Sequence, residues 1–569
     1  MAFSISPGVT VSEVDLTTVV PQVLTTAGAF AGTFTWGPVN QIVNVISEVD
    51  LVNHFGQPNG NTYTSFFSAA SFLSYGNNLN VVRAANTSSY NADANTSNSN
   101  TQVPNASFYQ ATYLNTNNSN AFGAFVARYP GALGNSLQVQ VCANTSTFSS
   151  WTYSSSFTTA PSTSAGVAAL GGSNDEMHVI VIDAGGLFTG QQGTVLETFP
   201  FLSKASDSVN SLGNSNYYKN YIFNNSNYIY AMDPVEYTRT SATWGQPSAN
   251  TNFANTLTID VVNLSGGTDT TTQDADLINA YSQFTNPDVV NIDLVVTGAA
   301  DVTVQNYVIS NIVNSRMDCV AFLSPPASYN VINNPGNELT QIQAWNTALA
   351  QSTSYAVADC GWKYMFDKYN NAYRWIPLNA DIAGLCVYTD SVRDPWWSPA
   401  GFNRGNLKNV IKLAWNPSLA QRNTLYNLGI NPVATFPGQG TVLFGDKTLQ
   451  SKPSAFDRIN VRRLFITLEK AIAKAAQYSL FEFNDSFTQA QFIALVTPFL
   501  RDVQGRRGIT SFQVVCDSTN NTPQVVDSNQ FVGDIYIQPA RSINFIQLNF
   551  VAVGTGVSFS EVVGQTGVA

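Results

Sequence analysis

The chain has 569 residues, well beyond the roughly 250–300 at which a single core stops growing, so it should divide into several domains. Only 11% of its residues are charged, and Lys+Arg 25 against Asp+Glu 36 leaves a formal net charge of −11. That balance argues against direct nucleic-acid binding, and no run of about 18 apolar residues argues for membrane insertion.

Asn, Ser and Thr carry the polar share instead. Such a surface suits an exterior buried against copies of itself, because charge is depleted in interface cores; compositional drift would look the same. Cys142, Cys319, Cys360, Cys386 and Cys516 are scattered and form no C-x-x-C pair. They read as reduced, buried thiols of a protein made in a cytoplasm, and no basic-then-apolar leader opens the sequence.

Residues 5–21 read as extended, with Val9, Val11 and Val14 separated by small polar residues. Nothing there can form a core alone, so the stretch either frays or pairs with another sheet. Residues 27–82 alternate between β and α. Strands are expected at 29–34, 42–46 and 79–83, with a helix capped by Ser47 and ended by Gly56, and a second helix over 66–75. This predicts a small α/β unit packed against the C-terminal core. Residues 86–120, rich in Asn, Ser and Thr, read as an exposed linker. Strands at 124–143, 179–183, 228–232 and 257–264 make residues 84–267 a β-rich, outward-facing insertion.

From Asp269 onward, helices over 276–284, 302–317 and 341–352 alternate with strands over 289–296, 319–323 and 355–357. That predicts an α/β domain with a largely parallel sheet. A triad needs a histidine base, and the chain holds only His54 and His178, with no G-x-S-x-G elbow. The region around Lys447 lacks the glycine a phosphate loop needs directly before its lysine. It reads as a hairpin of 441–444 and 447–449 about Gly445-Asp446. Asp269, Asp274 and Asp276 lack the calcium-loop pattern and read as helix N-terminal acids. Trp396-Trp397 reads as a core or interface anchor. No catalytic, cofactor or metal site is expected.

Residues 457–563 organise the rest. From Val461, the positions Leu464, Phe465, Leu468, Ile472, Ala475 and Ala476 trace one face of an amphipathic helix. A second helix starts at Asp485 or Ser486, and Pro498 should kink it or end its first half. Strands follow at 512–514, 534–538 and 544–553, with a last short run at 557–562. On the first helix Arg463, Lys470 and Lys474 fall near one another on the flank. They form either a solvated basic face or a docking surface.

Asn484-Asp485 with Thr488, Phe499-Leu500, Gly508-Ile509, Phe512 with Val514, Cys516-Asp517 with Asn521 and Pro523, Ile537 with Pro539, and Ile546 with Phe550 resemble the C-terminal core of contractile phage tail sheath proteins. Ser6-Pro7-Gly8-Val9, Gly28-Ala29-Phe30, Trp36-Gly37-Pro38, Ser398-Pro399-Ala400-Gly401 and Leu428-Gly429-Ile430-Asn431 agree with that family. The likeness is weak from about residue 86 to 257.

The resemblance implies an α+β / α/β multidomain chain. An N-terminal arm (1–22) leads into a segment (23–83) that completes an α/β C-terminal core (396–543). A β-rich outer domain (84–267), a subtilisin-like α/β middle domain (268–395) and a C-terminal arm (544–569) make up the rest. Val9, Val11 and Val14, and Phe545, Ile546, Leu548, Phe550, Val557, Phe559 and Val562, would be strands donated to neighbouring copies. Pro21, Gly554 and Gly556 would be hinges. Arg463, Lys470 and Lys474 would grip an acidic inner tube. The implied role is a virion subunit, assembled in the host cytoplasm, that stacks as rings on a tail tube and contracts to drive it through the host envelope. Its partners would be itself, the tube, the baseplate and the tail terminator. The rival readings are a strand-donating, pilus-like fibre protein and a catalytically dead hydrolase scaffold.

Overall fold

A computed structural model describes residues 25–94, 100–115, 123–232, 243–544 and 546–547. The first stretch forms β1 (Gly28–Gly32), β2 (Ile42–Val45), α1 (Glu48–Phe55), α2 (Tyr63–Leu73) and β3 (Leu79–Arg83). The next holds α3 (Ala106–Thr112), β4 (Phe125–Ala127), β5 (Leu137–Cys142), β6 (Glu176–Asp183), β7 (Thr194–Ser203), β8 (Ile229–Ala231) and β9 (Asp260–Asn263). Then come α4 (Asp274–Tyr281), β10 (Leu294–Val296), β11 (Val320–Leu323), α5 (Glu338–Leu349), β12 (Ala356–Asp359), β13 (Trp362–Asp367), β14 (Ala372–Pro377) and α6 (Asn379–Val392). They are followed by β15 (Lys412–Leu413), β16 (Ile430–Asn431), β17 (Val433–Phe436) and β18 (Gly440–Leu443). The last stretch supplies α7 (Ile459–Ala476), α8 (Ser486–Gly505), β19 (Ile509–Val515) and β20 (Asp534–Pro539).

The architecture is mixed α/β and multidomain. Its centre is a seven-stranded sheet in the order β16-β12-β11-β10-β1-β3-β2. Every neighbouring pair is parallel except β2 with β3. β1 lies between β10 and β3, with Gly28 opposite Leu294 on one side and Leu79 on the other. Residues 23–83 are expected to complete the C-terminal core; the strands of 28–83 lie in the sheet of the middle segment, which β16 from that expected core also joins. The reason is burial. All five residues of β1 are buried, as suits a strand covered on both faces of a parallel sheet. Helix α2 lies so close that a Cβ on Gly28 would come within 2.5 Å of the Phe72 ring.

The local signals in this segment work as expected. Ser47 accepts the Asp50 N–H at 3.1 Å to cap α1, and Gly56 ends that helix at φ 75°. The insertion is β-rich, with a four-stranded sheet in the order β7-β6-β5-β9 and a β4-β8 pair. Residues 86–120 are not a simple exposed linker, however. Asn91, Val103 and Tyr109 are buried, and Asn91 Nδ2 donates to the carbonyls of Val103 and Ala127. The expected hairpin over 441–449 shifts upstream, because β18 pairs with β17. Leu425, Ile430, Val433, Leu443 and Leu449 join the central core.

At the carboxyl ends of β10, β11 and β12 a buried polar network closes the sheet. Asp359 accepts the Ser324 hydroxyl at 2.7 Å and the Gly361 N–H at 2.9 Å. Ser324 Oγ accepts the Asn379 N–H at 2.9 Å, and Asn379 Nδ2 donates to Gly298 O at 2.7 Å. Burial pushes the Asp359 carboxyl up to about 8, against roughly 3.9 for an unfolded aspartate. Between those values the folded state binds more protons than the unfolded one. Asp359 therefore adds stability in full below the lower value, and that contribution is lost as pH rises through the upper one. Asp359→Asn should gain stability relative to wild type as thermal melts move from about pH 5 to about pH 9. A difference that does not change with pH would contradict this.

Candidate functional site

Helix α7 is shared by two cores. Ile459 and Ile466, seven residues apart on one side, belong to the central core. Leu464, Leu468 and Ile472, spaced by four on the opposite side, belong to a separate C-terminal cluster with Trp396, Phe492, Val496 and Leu500. At 3.6 residues per turn these two rows lie about half a turn apart, so the helix is a strut with an apolar stripe for each body.

Its third face is ionic. Arg463, Lys470 and Lys474 line it, as their spacings of seven and four require. Arg463 is 4% exposed and holds Asp390 with both nitrogens, at 2.5 and 2.9 Å. Its Nη2 also donates to Thr25 O at 3.3 Å, and the Thr25 hydroxyl donates to Asp390 at 2.6 Å. Burial works against the guanidinium charge, but the Asp390 carboxylate outweighs it and holds Arg463 above its ordinary value. Lys470 Nζ lies 2.7 Å from Asp293 Oδ1 and 2.8 Å from Ile292 O. Asp293 in turn accepts the Ala27 N–H at 3.1 Å. Burial raises the Asp293 carboxyl, and Lys470 offsets part of that rise.

Two of the three expected tube-docking cations are therefore engaged inside the chain. They fasten α7 to Thr25 and Ala27, where the described N-terminal segment begins. Lys474 alone of the three is exposed. The sequence reading missed this because Asp390 and Asp293 lie 73 and 177 residues from their partners.

Beyond α7, Asp485 caps α8 by accepting the N–H groups of Phe487 and Thr488 at 3.0 and 2.9 Å. The helix runs through Pro498 to Gly505. Its buried row of Phe492, Val496, Leu500 and Val503 continues across the proline, and this packing holds the helix together where one backbone bond is missing. β19 and β20 then pair antiparallel, with Phe512 opposite Ile537 and Val514 opposite Ile535. These four side chains rest on the C-terminal cluster, while Gln513, Tyr536 and Gln538 face outward. Among the described residues the sheet has only these two strands. Each presents one edge whose N–H and C=O groups have no ladder partner.

Val9, Val11, Val14, Phe545, Leu548, Phe550, Val557, Phe559 and Val562, and the hinge positions Pro21, Gly554 and Gly556, lie outside the described residues. Ile546 is described and is 77% exposed. His54 is exposed, 3.1 Å from Asp50. His178 is buried in the insertion, its Nε2 2.8 Å from Thr159 O, and burial lowers its pKa. Neither histidine is a hydrogen-bond partner of Ser324 or Asp359. Trp396 is a core anchor whose Nε1 donates to Arg506 O at 3.2 Å. Among the described residues no helix is long and apolar enough to cross a membrane.

Residues 25–84 match the N-terminal region of tail sheath protein Gp18 domain III, residues 271–449 the phage tail sheath protein central domain, and residues 451–552 the phage tail sheath C-terminal domain. The tail sheath protein of Vibrio phage KVP40 is 33% identical over 98% of this chain and 100% of its own length. This chain belongs to the phage tail sheath family. The tail sheath protein of Enterobacteria phage T4 is likewise 33% identical, over 99% of this chain and 100% of its own. The helical sheath of the anti-feeding prophage in its contracted state shares the fold, with a TM-score of 0.50, 14% identity, and coverage of 97% of this chain and 99% of that one. As a tail sheath protein the chain is a structural component of a contractile phage tail.

Removing one partner of a buried pair leaves the other charge stranded. Arg463→Ala should therefore lower stability by about 3–5 kcal/mol, read as a shift in the urea midpoint. A loss below about 1 kcal/mol, the range of exposed pairs, would show that the Asp390 clamp is not a structural tie.

Proposed function

We propose that this sheath protein polymerises as stacked rings around a tail tube, and that contraction by subunit rotation drives the tube through a host envelope. The observation that carries this reading is the pair of open edges on the β19–β20 sheet. A two-stranded sheet is marginal on its own, and open edges are templates for strand addition. Segments around Val9, Val11 and Val14, and around Phe545, Ile546, Leu548, Phe550, Val557, Phe559 and Val562, would fill them from neighbouring copies. Each added backbone hydrogen bond contributes about 0.5–1.5 kcal/mol net. A few bonds per arm, repeated over every subunit, would give a mesh that stays connected while the bodies turn about Pro21, Gly554 and Gly556.

The clamps on α7 fit this role. A pull on the N-terminal arm would reach Thr25 and Ala27, and from there pass through Arg463 and Lys470 into the strut that joins both cores. The extended array would be kinetically trapped, and the contracted one would bury more surface between bodies. The parallel middle unit would act as a subtilisin-like scaffold without catalysis, so the work is mechanical. Tube, baseplate and tail terminator would be the other partners, with assembly in the host cytoplasm. Docking on an acidic tube falls to Lys474, the exposed member of the α7 basic face.

Deleting residues 1–20 should leave a folded monomer in sedimentation and circular dichroism that forms no polymer; robust cylinders from that deletion would refute strand exchange. Separately, Lys474→Glu should weaken loading onto tubes by about tenfold, the effect of roughly 1.4 kcal/mol, while homopolymers form normally. Unchanged loading in a co-sedimentation assay would take Lys474 off the tube surface.

A further inference from the structure

Three guanidinium groups converge on the half-buried indole of Trp397 from three separate places. Arg393, just after α6, lies 5.6 Å from the ring centroid; Arg404 lies at 5.3 Å; Arg507, between α8 and β19, lies at 5.5 Å. Arg404 also donates Nε–H to Ser398 O at 3.0 Å. Among the described residues none of the three forms an ion pair. The neighbouring carboxylates Asp394 and Asp502 are both taken by Arg506. Burial, and then the charge of Arg393, pull Arg404 below its ordinary value. Arg507, at φ 67°, is the left-handed residue that ends α8, where the Gly508 N–H returns to Val503 O at 2.9 Å.

The C-terminal ends of α6 and α8 favour a nearby cation, but in a chain of net charge −11 three cations without an ion-pair partner among the described residues still repel one another. Cation–π contact with the indole offsets part of the cost. An anion arriving from outside would complete the cluster, as charged patches held against repulsion commonly do at functional surfaces.

The position of the cluster indicates which anion. Arg507 is two residues before β19, and Trp396 packs beneath Gly508, where a Cβ would come within 3.0 Å of its ring. β19 begins there opposite the end of β20, with Ile509 facing Pro539. The arginines thus stand at one end of the open two-stranded sheet. Residues 1–24 contain two charged side chains, Glu13 and Asp15, both acidic. In an extended strand, residues two apart share a face, so these two carboxylates would present together, on the face of Val9 and Val11 and opposite Val14.

We propose that Arg393, Arg404 and Arg507, arrayed around Trp397, bind the Glu13 and Asp15 carboxylates of a second copy's N-terminal segment and thereby set its register on the β19–β20 sheet. The proposal rests on the strand-exchange reading. A strand that slips by one residue turns its apolar face outward. A charge-assisted contact at one end of the sheet supplies the stop.

The test is a charge swap read by polymer sedimentation and negative-stain microscopy. E13R/D15R and, separately, R393E/R507E should each raise the concentration needed for polymerisation by about tenfold or more. The chain carrying all four changes should recover most of the loss. The R393E/R507E monomer should melt no lower than wild type, because repulsion is relieved. Assembly of wild type should weaken as salt rises. Three results would overturn the proposal: normal polymerisation of R393E/R507E, no recovery in the combined chain, or normal homopolymers of R393E/R507E that fail only to load onto tubes, which would make the tube the occupant. The deletion of residues 1–20 separates the two ideas. If that deletion still polymerises, strand exchange itself fails. If it does not, while R393E/R507E does, only the arginine contact fails.

Discussion

Every backbone N–H and C=O taken from water needs a partner, and this chain meets that demand in two different ways. In the central sheet the demand is met within one molecule for the five inner strands, and among the described residues only β16 and β2 are edges. β1 is flanked on both sides, and strands from residues 28–83, 294–359 and 430–431 are gathered to cover one another. At the C-terminal end it is left half met. Among the described residues β19 and β20 satisfy each other along one edge apiece and leave the other edges open. The first arrangement makes a rigid body; the second makes a socket.

Helix α7 joins the two. One stripe, with Ile459 and Ile466, belongs to the rigid body, and the opposite stripe, with Leu464, Leu468 and Ile472, belongs to the unit that carries the socket. Its ionic face holds Thr25 directly and Ala27 through Asp293, at the start of the described N-terminal segment. A buried ion pair is a poor source of net stability compared with apolar packing, but it does fix geometry when both charges are fully bonded. Here it fixes the start of the described N-terminal segment, the root of the arm in the proposed strand exchange. A hydrophobic contact there would be as strong and less directional.

Much of this was legible in the chain because it is local. The Ser47 cap and Gly56 stop of α1, the apolar face of α7, the Asp485 cap of α8 and the alternation of β19 and β20 are each written within a few residues. What could not be read is non-local. Nothing in Gly-Ala-Phe-Ala-Gly says that Gly28 will face Leu294, far along the chain. Arg463 and Lys470 look solvent-facing until Asp390 and Asp293 are brought beside them. α6 went unread because it is buried nearly all round and has no amphipathic period, and β7 because Pro200 and alternating polar residues interrupt its pattern. Pro498 should kink α8 or end its first half, but the helix runs on through it, held by its continuous buried row. In each case tertiary packing decided the outcome against a local signal.

The central claim is that the socket is filled by other copies. A cryo-electron microscopy reconstruction of the assembled polymer, at a resolution that traces strands, tests it most directly. The account predicts a C-terminal sheet of more than two strands, with those beyond β19 and β20 traced to residues around Val9–Val14 and 545–562 of neighbouring subunits. A sheet that stays two-stranded in the polymer, or one completed only by its own chain, would contradict it.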